Sequence, residues 1–458
     1  MKKYLETIND PNIDMNERLN ALRSALQIEP KAGENCRPRK KSEEINNHIH
    51  TIYSFSPYTP AMAALQARNA GLAAAGSVDH DSIGAADEML EACAVLGIGG
   101  CVGFETRVSF KTGADGKASP FAERKINNPD SKGFVYMTVQ GVRRQSIVQA
   151  AEFLNPIREQ RLKRTEKMTV SANAVLKDAG FCEIDFQRDV CNMSKYAEGG
   201  GITERHLLAA AARIIIDKYG KGSDLVQALK TRLGIAVPVK IESQLSQADN
   251  PHYLYDLLGL LKQDFLQKIF IQPDEKECVP AKDVISFAES IGAIPSYAYL
   301  GDVGESPTGD KRAEKFEDDY IEELFAELSR LGYRAVTYMP PRNTLEQLTK
   351  LQRLCRETGF MEITGVDINT SRQSFNCPEV LKNEFRHLLD TTWALIAHER
   401  LATVDKRFGL FSGENPLAAL SLKERLVLYA GFGKRLNLNQ PQETAAQIAA
   451  EMEKGRFI

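Results

Sequence analysis

The chain has 458 residues, too many for one small core, and 43% hydrophobic with 26% charged residues is the balance of a folded globular protein. A formal charge of −3 gives no global attraction to nucleic acid or acidic membranes, so any phosphate binding must come from local basic groups. No run of about 18 apolar residues is present, the opening "MKKYLETINDPNID" lacks a signal peptide's apolar core, and eight scattered cysteines without CxxC pairs read as reduced thiols of a cytosolic protein.

Residues 1–44 read as a separate lead-in. "MNERLNALRSALQI" places Leu19, Leu22 and Leu26 at helical spacing, and the loop-like "PKAGENCRPRKKSEE" follows, the pattern of a docking helix and tether. Over 45–144 the chain alternates. "IHTI" reads as a strand and "TPAMAALQARNAG" as a helix capped by Thr59, with Pro60 in its first turn. "LAAAGSVDH" then reads as a buried strand, "SIGAADEMLEACAVLG" as a helix, and "IGGCVGFETRVSF" and "GFVYMTVQGV" as further strands. Such alternation predicts a parallel sheet covered by helices, open or closed into a barrel.

Residues 145–280 change character and read as a mainly helical insertion. Its basic stretch "NPIREQRLKRTEKM" has the pattern of a solvated helix face. The βα rhythm resumes over 281–375, through "AKDVISFAESIGAIPSYAYL" and "FEDDYIEELFAELSRLGYRAVTYMP" to "TLEQLTKLQRLCRETGFMEITGVDIN". Residues 376–458 are helical again and are expected to pack against the outside of the barrel.

The chemistry-bearing residues fall at strand ends. In "NNHIHTIYS", His48 and His50 stand at i and i+2, which in an extended strand puts both imidazoles on one face. Asp79 and His80 end the second strand, Glu105 lies near the end of the third, and Asp367 and Asn369 end the last. That edge is where α/β sheets build sites. Imidazoles and carboxylates together suit a divalent zinc, manganese or iron ion. Asp79 reads equally well as a helix N-cap for "SIGAADEML".

"HIHTIYS", "GSVDHDS", "GFE" and "TGVDIN", in this order, resemble the motifs of the PHP (polymerase and histidinol phosphatase) family, over about residues 45–375. The resemblance implies a distorted (β/α)7 barrel of PHP type with a helical insertion and C-terminal helices, and a cluster of up to three metal ions. "ITERHLLAAA" resembles a segment of members that act on nucleoside 3′,5′-bisphosphates or short oligonucleotides, which makes Arg205 and His206 candidate phosphate contacts. In related enzymes the insertion crosses the mouth of the site, which gives the basic stretch a lid role as its functional alternative. Nothing else in the chain resembles a polymerase.

The sequence also departs from the family pattern. Phe55 and Ser56 stand where an acidic or histidine residue is expected, Tyr136 and Tyr299 where histidines are, and Asn369 in place of the histidine of a closing DxH. The ligands matching the first metal position survive as His48, His50, Glu105 and Asp367. The second keeps Glu105 as a bridging group, and the third keeps His80 with Asn369. One firmly held ion, with a weaker second, is therefore expected.

With fewer ions, basic side chains must neutralise more of a phosphoryl group's charge, and Arg205, His206, Arg342 and Arg372 are the candidates. The implied function is a cytosolic, metal-dependent phosphoesterase hydrolysing a small phosphomonoester, with Asp79 or His80 as general acid or base. The rival is a catalytically weak or inactive barrel that binds a phosphorylated ligand or a protein partner. A membrane and long nucleic acid are not expected as partners.

Overall fold

The βα rhythm closes into one seven-stranded sheet in the computed structural model, which describes residues 1–28, 42–304 and 314–456. The strands are β1 (Ile45–Ile49), β2 (Ala74–His80), β3 (Gly99–Ser109), β4 (Phe134–Gln140), β5 (Ile294–Ala298), β6 (Ala335–Tyr338) and β7 (Met361–Thr364), in sequential order across the sheet. Neighbours run parallel except at β4, which is antiparallel to both β3 and β5. The sheet is thus mixed where alternation alone predicted parallel. A parallel pair needs a long crossover, usually a helix, and the 110–133 link between β3 and β4 contains none.

The first and last strands meet across a seam. Beyond β7, Ile368 bridges to Ile49, His50 N donates to Ile368 O at 2.9 Å, and Ile368 N donates to His48 O at 3.0 Å. Lower in the seam the side chains of Asn46 and Asn47 replace a regular ladder by donating to Val366 O and Thr364 O, each at 3.0 Å. Gly365 is required here, since a Cβ on it would stand 2.5 Å from His48 N. The result is an α/β barrel, nearly closed.

Helices α1 (Lys2–Ile8) and α2 (Met15–Ile28) lie against α3 (Pro60–Asn69) and α4 (Ala86–Leu96), with Leu19 and Leu22 buried in the barrel's core and Leu26 at its margin. Thr59 caps α3 by accepting from Met62 N, with Pro60 at the first position. The strand expected at "IHTI" ends earlier, so His48 lies on β1 and His50 just past it.

The helices α5 (Ile147–Asp178), α6 (Glu204–Tyr219), α7 (Ser223–Arg232), α8 (Val239–Leu245) and α9 (Tyr253–Ile269) enclose an apolar core of their own, including Met168, Leu207, Leu257 and Phe265. Helix α5 joins the two cores, because Leu154 and Ile157 pack in the barrel's and Ala172 and Leu176 in the other. After α10 (Ala281–Ile291), α11 (Ile321–Leu331) and α12 (Leu345–Thr358), helix α13 (His387–Val404) packs across β1, β3 and β7, and α14 (Leu422–Arg435) and α15 (Pro441–Glu453) cover it. No helix among the described residues is long and apolar enough to cross a membrane.

Candidate metal centre

The seam and the β2–β3 ladder bring five potential ligands together. His80 pairs in register with Glu105, and the bridge at Ile368 holds Asp367 beside the end of β1. His48 Nε2 lies 2.9 Å from Glu105 Oε2, His50 Nε2 lies 3.8 Å from the same oxygen, and His50 Nε2 lies 3.3 Å from Asp367 Oδ1. Ligand atoms of His48, His50 and Glu105 all fall within 4.8 Å of one another. Around a tetrahedral ion with bonds of about 2.0–2.1 Å, neighbouring donors stand roughly 3.3–3.5 Å apart, and the three separations bracket that spacing.

His80 extends the cluster on its other side. Its Nδ1 is 3.6 Å from Glu105 Oε1, and its ring stacks on His50 with centroids 4.5 Å apart. That nitrogen is buried and has no hydrogen-bond partner among the described residues. An orphaned buried nitrogen aimed at a carboxylate oxygen fits a missing cation or proton donor. Glu105 therefore offers one oxygen to His48 and His50 and the other to His80.

The electrostatics favour the ligand form at His80 and Asp367, but on His50 they favour a proton that an arriving cation would have to displace. Burial pushes the His80 imidazole well below its ordinary value, helped by His50, Arg161 and Arg205, so it is neutral. Burial also opposes charge on His50, but Asp367, Glu105 and Asp79 outweigh it and raise its value. Asp367 is held well below the carboxylate range: burial pushes it up, yet the hydrogen bond and charge of His50, with His48 and Arg205, prevail. Asn369 donates from Nδ2 to Asp367 Oδ1 at 2.7 Å, orienting the carboxylate.

Asp79 sits beneath the cluster. Its Oδ1 accepts from Thr51 N and Ser54 Oγ and its Oδ2 from Thr51 Oγ1, each at 2.6 Å, while Ser54 Oγ lies 3.3 Å from His50 Nδ1. Such a partner fixes the orientation of a ligating histidine. Burial raises the Asp79 carboxyl against these bonds. Asp79 does not cap α4, whose N-cap is Ala85.

The two tyrosines at expected histidine positions differ. Tyr299 donates its hydroxyl to Asp318 Oδ1 at 2.6 Å and is structural. The ring of Tyr136 lies 5.9 Å from that of His80, and its hydroxyl has no partner among the described residues.

The phosphate candidates separate in the same way. Arg205 gives one hydrogen bond, to Asn369 O at 3.0 Å, and has no carboxylate partner among the described residues. Burial lowers its pKa, and the charge of Asp367 is the largest influence opposing that shift. Arg342 donates to Leu300 O at 3.0 Å and also feels Asp367. Arg372 is spent on Asp256, at 2.5 and 2.7 Å. His206 caps α6 through Thr203 N, 3.0 Å from its Nδ1, and burial pushes its pKa down to about 3.

Sequence reasoning missed a buried ionic network next to this cluster. Arg158, Arg161 and Arg164 are buried, not on a solvated face. Arg161 pairs with Asp81 at 2.6 Å and Glu204 at 2.8 Å, and Arg164 with Glu204 at 2.5 Å and Glu277 at 2.6 Å. Arg107 on β3 pairs with Glu277 and lies 3.5 Å from Glu204. A period of three along α5, in phase with the buried Leu154 and Met168, is the signal that could have revealed it.

No family model and no curated protein matches the chain. Among solved structures, an amidohydrolase from Chromobacterium violaceum, with sulfate bound and no metal, aligns over 73% of this chain and 90% of its own at 18% identity and a TM-score of 0.45. A candidate metal-dependent phosphoesterase from Bifidobacterium adolescentis aligns over 76% of this chain and 97% of its own at 18% identity and a TM-score of 0.46.

Proposed function

We propose that the protein is a metal-dependent hydrolase of small phosphomonoesters. The observation that carries this reading is the mixed nitrogen and oxygen donor cluster of His48, His50, Glu105 and Asp367, flanked by two guanidiniums, Arg205 and Arg342, without carboxylate partners among the described residues. His48, His50, Glu105 and Asp367 would hold a divalent ion, which would supply a lowered pKa for bound water and polarisation of a phosphoryl oxygen. Zinc, manganese and iron all suit the donors.

The chain's own groups do the rest. Arg205 and Arg342 bind the non-bridging oxygens of a phosphate presented beside Asp367. His80, neutral because it is buried, presents Nδ1 either as a ligand or as the site that accepts a proton. Asp79 holds Thr51 and Ser54, and through Ser54 it orients His50. Asn369 holds Asp367. A nucleoside 3′,5′-bisphosphate is the specific substrate we put first, on the "ITERHLL" resemblance that contains Arg205.

Tyr299, turned to Asp318 and away from ligand duty, favours a second reading: a barrel that binds a phosphorylated ligand without turning it over. One experiment separates the two. The purified chain is assayed for bound metal and for phosphate release from a panel of phosphomonoesters, alongside a variant carrying His48→Ala and His50→Ala. Metal uptake and phosphate release that both vanish in the variant support the hydrolase. Undiminished release in the variant overturns it, and metal-free protein that is thermally stabilised by phosphorylated ligands supports the second reading.

A further inference from the structure

The first 28 residues carry no group of the metal cluster, yet they grip the loop that leads out of it. Residues 51–59 connect His50 to helix α3. At the far end of this loop, Asn9 Nδ2 donates to Pro57 O and Asn9 Oδ1 accepts from Thr59 N, each at 3.0 Å. Thr59 Oγ1 donates to Ile8 O at 2.6 Å. Just beyond, Glu88 Oε1 accepts from Ala61 N at 3.1 Å, and Glu88 makes a buried two-pronged pair with Arg18 of α2 at 2.9 and 2.5 Å. Arg18 also donates to the carbonyls of Asp10 and Ile13, so one side chain ties the α1–α2 turn to α4.

The loop passes this grip back to the cluster. Ile52 N donates to Tyr58 O at 2.9 Å, closing the loop across its base. Thr51 and Ser54 then bind Asp79, and Ser54 reaches His50 Nδ1. Between the two anchored ends, Phe55 is held at φ 76, in the left-handed region that a bulky side chain avoids. Its ring packs against His206 and Tyr255, with centroids 4.9 and 6.0 Å away. A residue stays in such a conformation only when its surroundings over-determine it, so releasing one end lets the loop relax.

We propose that Asn9, with the Arg18–Glu88 pair behind it, is a positioning element of the metal centre: the N-terminal helices hold the 51–59 loop so that Ser54 fixes the His50 ring. This rests on the metal-site reading above, and it assigns a role in that site to a segment that touches none of the ligands. Loss of an outer-shell partner of a ligating histidine costs about 10–100-fold in metal affinity, so a partner one step further out belongs at the lower end of that range.

The test uses the full chain and three readouts: the zinc dissociation constant by chelator competition, amide hydrogen exchange of residues 51–59, and the melting temperature without metal. Asn9→Ala is expected to speed exchange in the loop and weaken zinc binding by about tenfold. Its melting temperature should shift little. Ser54→Ala should weaken zinc similarly, and the two changes combined should fall short of additive because they act along one path. Asn9→Asp, which keeps the acceptor for Thr59 N, should recover part of the loss. Arg18→Met with Glu88→Met, which removes both buried charges together, should act like Asn9→Ala, and Arg23→Ala on the exposed face of α2 should change nothing.

Zinc affinity within twofold of the parent in Asn9→Ala overturns the proposal, whether or not the loop loosens. A fall in melting temperature alone marks the segment as merely structural and also overturns it. A parent chain that binds zinc but releases no phosphate refutes only the hydrolase reading, whereas a parent that binds no zinc refutes both.

Discussion

Glu105 and Arg107 stand two residues apart on the same face of β3, yet they belong to buried clusters of opposite kinds. Arg107, Arg161 and Arg164 are matched by Asp81, Glu204 and Glu277, each guanidinium pairing with two of these carboxylates, and Arg164 Nη1 donates to Ile271 O. The Glu105 cluster does not close. Among the described residues, two carboxylates face three imidazoles, one imidazole nitrogen is orphaned, and neither Arg205 nor Arg342 pairs with a carboxylate. Removing one partner from a satisfied buried network strands the other, whereas a cluster of titratable groups left incomplete is a candidate binding site.

The largest effect that can break this comparison lies in the closed network. Glu277→Gln leaves Arg107 and Arg164 short of their shared carboxylate in a buried setting, and removing one partner of a buried pair costs about 3–5 kcal/mol. Chemical denaturation of the metal-free protein should show that loss as a lower midpoint at unchanged slope. A change under about 1 kcal/mol would mean that the network is dispensable, as exposed ion pairs are.

Glu105→Gln is the counterpart, and its expected stability effect without metal is smaller. It removes a carboxylate that no guanidinium pairs with among the described residues, so the metal-free midpoint should stay close to that of the parent. What should disappear is the stabilisation by added zinc, about 2.7 kcal/mol for the parent at a hundredfold excess over the dissociation constant. If Glu105→Gln instead destabilises the metal-free protein as much as Glu277→Gln does, the two clusters are alike and the metal reading of the open one fails.

The open cluster was legible in the sequence because strand geometry is local. His48 and His50 at i and i+2, Glu105 within β3 opposite the end of β2, and Asp367 just beyond β7 need only the periodicity of two and the order of the strands. The closed network was not legible, because its partners are far apart: Arg164 finds Glu277 113 residues on and Arg161 finds Asp81 80 residues back. Read alone, "REQRLKR" has the spacing of a charged outer face, and only the fold shows that face turned inward. The direction of β4 was hidden for a related reason, since a strand reads the same both ways and only the helix-free link before it sets its sense. The grip of Asn9 on Pro57 and Thr59 joins an ordinary loop to an ordinary cap, and neither carries a motif.

The same contrast sorts single arginines. Arg372 looked well placed, three residues past Asn369, but Asp256, 116 residues before it, takes its Nε and Nη2. Arg205 gives a single hydrogen bond among the described residues and feels the charge of Asp367. If pairing decides role, Arg205→Ala should raise KM for a phosphomonoester by about tenfold, near 1.4 kcal/mol of lost binding, while metal content stays constant. Arg372→Ala should leave KM within about twofold, since an arginine already paired at a partly exposed position has little binding left to give a ligand. Steady-state kinetics on matched metal-loaded samples reads both. Equal losses in the two variants would show that the Asp256 pair opens to admit substrate, so that Arg372 too would be a substrate contact, reached only when the loop after β7 moves.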